Sequence, residues 1–425
     1  MARITRRGFL STTAVLCGLP ASVYRSAVLA QDKPSDRIRI GSIGVGRQGT
    51  GNLKGFLNQK GAQVVAVCDV DANHLAAAAK LVTNPQTFAD FRKLLDAKDI
   101  DAVVVTTPDH WHALQTVTAC KSGKDVYCEK PLSLTVAEGR AMVNAARDNK
   151  RVVQTGSQQR SGKEFRQACE LVRNGAIGAV KTIKVGLPGP NWIKEATKPV
   201  PDSDPPAALD FDTWLGPAPL RRYNAKQVHY LFRFFWDYSG GQQTNFGAHH
   251  LDIAQWGLGM DDSGPTGIEG KATFNKDKWF ETPETANITY TYSNGVVMNC
   301  TLGGGGNRDG TTFEGEKGVV YVTRGKIEVT IGGEKVPDPY KLPTGDTKLY
   351  VSTSHHGDWL ACIRSRKNPV CDVEIGHRSA TVCHLGNIAV RTGKKLTWDP
   401  KAETITNDKA AAAMLTKEYR SPWKL

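Results

Sequence analysis

Three short stretches of this chain carry residue types that could do chemistry at the spacing they have. The first is Gly44-Val45-Gly46-Arg47-Gln48-Gly49, a G-x-G-x-x-G run. In such a run the first glycine permits a tight turn and the second admits close backbone approach to a pyrophosphate. The third lets a helix pack closely, and that helix's N-terminal N–H groups and dipole hold the phosphates. Asp69 follows 25 residues after Gly44, where a carboxylate can accept hydrogen bonds from an adenosine ribose 2′-hydroxyl and would repel a 2′-phosphate. That favours NAD over NADP, although the Arg47 guanidinium beside the motif could meet a phosphate. The second stretch is Glu129-Lys130-Pro131. The third runs from Asn245 to Asp252, and in it His249 and Asp252 share one face of a helix.

The elements that must position these groups are legible from periodicity. Residues 38–43 and 64–68 are short, β-branched apolar runs, one ending at the glycine motif and the other at Asp69. An Ala-rich helix is expected over 74–81 and a helical segment over 87–95. A strand over 101–105 ends at the polar cluster Thr107-Pro108-Asp109-His110-Trp111-His112, and another over 125–128 leads into Glu129. Strand and helix alternate in this way to about residue 155. The pattern implies a parallel sheet covered on both faces, with ligands bound at the strands' C-terminal ends.

From Gly156 the character changes. A helix over 164–174 and a strand over 179–187 precede an extended insertion rich in proline and aromatics. Residues 266–333 then alternate as strands with turns such as Ser293-Asn294-Gly295, and helices are expected around 356–366 and 376–391. The expected fold class is α/β: a doubly wound Rossmann domain over 31–155, then an α/β domain over 156–425 with a large open, mostly antiparallel sheet.

Residues 1–30 read as an address. Arg6-Arg7 precede a modest apolar stretch, and Val28-Leu29-Ala30 supplies small residues at the −3 and −1 positions of a cleavage site. The stretch is too short for a membrane span, which needs about 20 apolar residues, and no later stretch could span either. A twin-arginine leader implies export of the folded chain to the periplasm. Its removal takes four arginines and lowers the net charge from +13 to +9. The remaining basic residues are spread out, without a Lys/Arg run interleaved with aromatics, which argues against a nucleic-acid partner. Eight cysteines remain, none in a C-x-x-C or zinc spacing, so no metal site is expected.

Taken together, the glycine motif, Thr107-Pro108 after one strand and Glu129-Lys130-Pro131 after the next resemble the Gfo/Idh/MocA oxidoreductases, the family of glucose–fructose oxidoreductase and inositol 2-dehydrogenase. The resemblance runs over residues 36–400. It implies a cofactor site made of Gly44, Gly46, Arg47, Gln48, Gly49, Asp69, Thr107, Pro108, His112, Glu129, Lys130 and Gln158. It places Lys130 near nicotinamide and substrate, aimed by the bend at Pro131. Arg160, Trp236, Asp237, Tyr238, Asn245, His249 and Asp252 fall where substrate would be held. Asn245 departs from the pattern, which has an acid there. Asn can bond a hydroxyl but cannot act as a base, so proton transfer shifts to His249 or Lys130. Phe234 and Phe235 read as core, and His250 as structural.

The implied activity is hydride transfer between a tightly held NAD and a hydroxyl carbon of a sugar or glycoside. The alternative is a redox-neutral glycosidase working through a transient 3-keto sugar. A third possibility is a non-catalytic, nucleotide-bearing sugar-binding protein. The resemblance also implies a homo-oligomer formed through the open sheet. Replacing Arg6 and Arg7 with lysine should leave the protein in the cytoplasm; undiminished accumulation of that variant in the periplasm contradicts the export reading.

Overall fold

The computed structural model describes residues 36–190, 199–277, 279–304, 306–337, 345 and 347–425. The expected leader, residues 1–30, lies outside them. The first unit is built from β1 (Ile38–Ile43), α1 (Arg47–Leu57), β2 (Ala62–Cys68), α2 (Ala72–Ala79), β3 (Gln86–Phe88), α3 (Phe91–Asp96), β4 (Ala102–Val105), α4 (Asp109–Lys121), β5 (Asp125–Cys128), α5 (Val136–Asp148) and β6 (Val153–Thr155). All its strand pairs are parallel, in the order β3-β2-β1-β4-β5-β6. Both β4 and β5 are buried throughout, as expected of strands covered on two faces. The strand order reverses between the two central strands, β1 and β4, and ligand crevices form at such switch points.

One expectation fails here. The stretch 87–95 is not a continuous helix: Gln86–Phe88 pairs with β2 as an edge strand, and α3 begins only at Phe91, where Asp90 accepts from Arg92 N. A three-residue strand is too short to show a period.

The second unit contains α6 (Lys163–Arg173), β7 (Val180–Leu187), α7 (Phe211–Leu215), α8 (Gly241–Asn245) and α9 (Gly247–Leu258). It continues with β8 (Gly267–Thr273), β9 (Thr285–Thr291), β10 (Val297–Leu302), β11 (Gly310–Gly315), β12 (Gly318–Thr323), β13 (Lys326–Ile331) and β14 (Glu334–Val336). Then follow α10 (His355–Ser365), α11 (Val373–Thr392), β15 (Leu396–Asp399), β16 (Thr404–Ile405) and α12 (Lys409–Ala413). Ten strands form one sheet in the order β14-β13-β12-β11-β7-β10-β9-β8-β15-β16, antiparallel except for the β7–β10 pair. Helices α6, α9 and α11 bury one face of that sheet around Phe165, Leu251, Tyr290, Met298 and Phe313.

Helix α11 fastens the two units. Val373 and Ala380 belong to the parallel sheet's core, whereas Val382, Cys383 and Leu385 belong to the core of the open sheet. Helix α10 also returns to the first unit, where Trp359 and Leu360 pack with Phe56 and Tyr127. Among the described residues all eight cysteines are free and buried. None of the described helices is long and apolar enough to cross a membrane.

Candidate active site

The glycine motif does what its spacing demands. Gly44 has φ +77°, and a Cβ there would stand 2.8 Å from the Thr106 backbone; a Cβ on Gly49 would stand 1.9 Å from the Gly44 carbonyl oxygen. Helix α1 can therefore seat against the sheet only with glycine at both places. Asp69 accepts hydrogen bonds from Val45 N (2.8 Å) and Asp71 N (2.9 Å). Burial pushes its carboxyl pKa up, opposed by those two N–H groups. A cavity of about 630 Å³ runs from Asp69 and His74 past Gly44, Gly46, Arg47, Gln48 and Gly49. It continues beside Thr107, Pro108 and His112 to Glu129, Lys130 and Asn245. A glycine cradle without room for side chains, with a carboxylate at one end and a lysine at the other, fits a dinucleotide.

Glu129 organises the lysine end. Its Oε1 accepts from Asn52 Nδ2 (3.0 Å), Gln158 Nε2 (3.1 Å) and Gln48 Nε2 (3.3 Å), and its Oε2 from Lys130 N (3.2 Å). A Cβ at Gly156 would come within 2.9 Å of this carboxylate. The Lys130–Pro131 peptide is cis. His112 braces it: its Nδ1 lies 2.8 Å from the Pro131 carbonyl oxygen and its Nε2 2.8 Å from that of Thr107. With two carbonyls facing its two nitrogens the ring is held protonated. Burial opposes the charge, but Cys128, Asp109 and the Pro131 carbonyl lift its pKa to about 10.

Lys130 Nζ donates to Asn245 Oδ1 (2.7 Å) and to the Asn245 carbonyl (3.0 Å). Burial brings its pKa down to about 8; Glu129 opposes this, and Arg233 and Arg324 reinforce it. His249 is held well below the usual imidazole range by burial first, then by the charges of Lys130 and Arg324, so it is neutral at pH 7. A second cavity, about 580 Å³, opens beyond Lys130 and is lined by Gln158, Gln159, Arg233, Asn245, His249 and Arg324. Lys130, Arg233 and Asn245 line both cavities, so a neutral-capable amine stands at their junction.

The insertion after β7 closes over the dinucleotide cavity. Asp210 N donates to Val70 O (3.0 Å), Ala72 N donates to Ala208 O (2.8 Å), and His229 Nε2 lies 3.0 Å from Asp71 Oδ2. The Tyr230 ring lies between two guanidiniums, with Arg47 and Arg233 each 4.2 Å from its centroid. Ligand atoms of Asp71, His74 and His229 gather within 4.8 Å of one another. The Asp71 carboxylate is already committed, with Oδ1 capping α2 through Asn73 N and His74 N and Oδ2 facing His229. The trio acts as a latch between the insertion and the parallel sheet.

Five expected substrate residues are not brought to these cavities. Trp236 and Asp237 line a separate hollow of about 290 Å³ with Arg391 and Lys417. Trp236 stacks with Arg391, and Asp237 pairs with Lys417 (2.7 Å) and Arg221 (2.8 Å). Tyr238 is fully buried against His110, Trp214 and Phe235. Arg160 and Asp252 are buried together, Nη2 to Oδ1 at 2.8 Å, with Ser379 Oγ donating to the same carboxylate and Asp261 pairing with the arginine. They pin α9 to the turn after β6. Phe234 and Phe235 are core as expected, and buried His250 lines neither cavity.

Sequence reasoning passed over Arg324 and His229, and met Asp109 only as a member of the polar cluster after a strand and Arg233 only as the start of an aromatic-rich stretch. Asp109 opens α4 at the polar cluster after β4, and Ser239 Oγ bonds its Oδ2. That position after a strand was its only signal. Arg324 sits in the β12–β13 turn and carried no signal at all.

Two family models match the chain: "Oxidoreductase family, NAD-binding Rossmann fold" over residues 38–157 and "Oxidoreductase family, C-terminal alpha/beta domain" over 161–425. An inositol 2-dehydrogenase of Salmonella paratyphi B is 34% identical over 144 residues, which is 33% of this chain and 43% of that protein. A glycosyl hydrolase family 109 protein of Shewanella pealeana is 29% identical over 204 residues, 41% of this chain and 44% of that protein. The chain thus spans less than half the length of these curated relatives. In fold it is similar to a levoglucosan dehydrogenase solved with NADH and levoglucosan. That TM-score is 0.66 at 16% identity, covering 85% of this chain and 99% of the other.

Removing one member of a buried ion pair costs about 3–5 kcal/mol. Asp252→Ala should therefore lower unfolding stability in a denaturant titration by about 3 kcal/mol, the lower end, because Asp261 still pairs with Arg160. NAD affinity of the folded fraction should stay unchanged. An unaltered unfolding midpoint would return Asp252 to the list of substrate candidates.

Proposed function

The chain belongs to the Gfo/Idh/MocA family of oxidoreductases, and on that premise we propose that it oxidises a hydroxyl carbon of a sugar or glycoside with NAD held in the first cavity. The observation that carries this reading is Lys130, set where the two cavities meet with a pKa near 8. When bound, the nicotinamide supplies the carbon that accepts hydride. The chain's own residues handle the proton. Neutral Lys130 takes it from the substrate hydroxyl, and Asn245 Oδ1 holds the amine in place. His249, neutral and with an unpartnered Nδ1, can bond the same hydroxyl or its neighbour.

Cofactor retention is part of the proposal. A twin-arginine leader would carry the folded chain with its dinucleotide already inside, and the three hydrogen bonds that fasten the insertion across Val70, Asp71 and Ala72 support such enclosure. The uncovered face of the ten-stranded sheet, with its Lys184–Glu314 and Arg308–Glu328 pairs, would be the surface through which copies associate. A second reading, redox-neutral glycoside cleavage, is favoured by the glycosyl hydrolase relative. A cofactor that cannot leave suits a cycle that returns it to its starting state. Aglycone released from aryl glycosides without net NADH would select this reading over the first.

Because the base must be neutral, kcat/KM for oxidation should rise with pH and level off above about 8. Lys130→Met keeps the apolar stem, so thermal stability and NAD binding should persist while turnover falls by about 10²–10⁴-fold. A variant that folds, binds NAD and turns over at the wild-type rate makes Lys130 a bystander.

A further inference from the structure

The charge balance of the second cavity goes beyond what a neutral sugar requires. Lys130, Arg233 and Arg324 line it, and the acid on its wall, Glu164, is engaged by Gly325 N at 3.0 Å. Among the described residues none of the three cations forms an ion pair. Lys130 is met by neutral oxygens of Asn245, Arg233 lies over the rings of Tyr230 and Phe232, and Arg324 lies over Phe246. Elsewhere the chain neutralises comparable arginines: Arg140, Arg147, Arg160 and Arg221 all meet carboxylates.

Arg233 is the costliest of the three. Its Nε is buried without a hydrogen-bond partner, and burial pushes its pKa down. A buried cation is stable only when paired, so Arg233, with the exposed Arg324 on the same cavity wall, leaves a partner to be supplied from outside. Hydroxyl groups could satisfy the donors but would not offset the charge. A carboxylate or phosphate does both, and a guanidinium meets either in bidentate geometry. Arg233 borders both cavities and could also face a dinucleotide phosphate, but Arg324 lines only the second.

We propose that the substrate is a sugar bearing an anionic oxygen group, carboxylate or phosphate, recognised by Arg324 together with Arg233. The proposal rests on the sugar-oxidoreductase reading above.

The test is calorimetric titration of the NAD-loaded protein with hexuronates, hexonates and hexose 6-phosphates, each beside its neutral hexose, for wild type, Arg324→Ala and Arg233→Met. Arg324 is exposed, so its variant should fold even if the Arg233 variant does not. At least one anionic sugar should bind about tenfold tighter than its neutral counterpart, the worth of one charged hydrogen bond. That advantage should shrink in high salt and largely vanish in Arg324→Ala. Whether the carboxylates or the phosphates lead identifies the group. If no anionic sugar outbinds its neutral counterpart, or if the advantage survives in Arg324→Ala, the proposal is overturned. NADH absorbance in the same samples keeps the two claims apart. Selective anion binding without NADH would count against the dehydrogenase reading alone, and NADH formed equally from neutral sugars would count against the anion proposal alone.

Discussion

The buried Glu129 carboxylate is the constraint on which the site depends. It is buried at the end of β5, so its lone pairs are met by protein donors. Asn52 and Gln48 from α1, Gln158 from the turn after β6, and the backbone N–H of Lys130 meet them. A single charge therefore fixes the helix that starts the dinucleotide cradle relative to the lysine at its far end. Gly156 is small because this carboxylate passes it, and His112 braces the next residue from the other side. Lys130 inherits its position from these contacts, and burial together with Arg233 and Arg324 sets its pKa. Removing Glu129 would unfasten several elements at once, because the network is shared.

The second determinant is the insertion between β7 and α8. It has a small core of its own, in which Trp214, Leu215, Phe234, Phe235 and Tyr238 pack together. That core holds the described residues of the insertion from Leu209 to Tyr238 in place over the cofactor cavity. Gly216, at φ +51°, is pressed against Trp111, where a Cβ would overlap the indole at 2.0 Å. This close approach seats the insertion on α4. The aromatics that could have been read as sugar platforms thus serve chiefly to position the cover, and Tyr230 serves by stacking between two arginines.

What the sequence disclosed and what it hid follow one rule. The Rossmann elements, the glycine cradle, Asp69 and Lys130 were legible because each is specified locally, by an apolar run ending at a distinctive residue. The open sheet was legible in its alternation, though not in the placement of β7 at its centre beside β10, a pairing of residues more than a hundred apart. Arg160 and Asp252 misled because an ion pair and a ligand pair use the same residue types, and only burial separates them. Trp236, Asp237 and Tyr238 misled because composition alone does not say which way each residue of an irregular segment turns. Phe235 and Tyr238 bury into the insertion core, and the two residues between them turn to another hollow. Arg324 reaches the site from a hairpin distant in sequence, and no local pattern marks such a contribution.

The proposed chemistry requires that the first cavity hold a dinucleotide beneath a fastened cover. The most direct measurement is to desalt the purified protein exhaustively, denature it and quantify the released nucleotide by chromatography. The account predicts close to one NAD per chain, with a marked loss when His229→Ala removes the latch on Asp71. Protein that emerges free of nucleotide and shows no binding when titrated with NAD would contradict it.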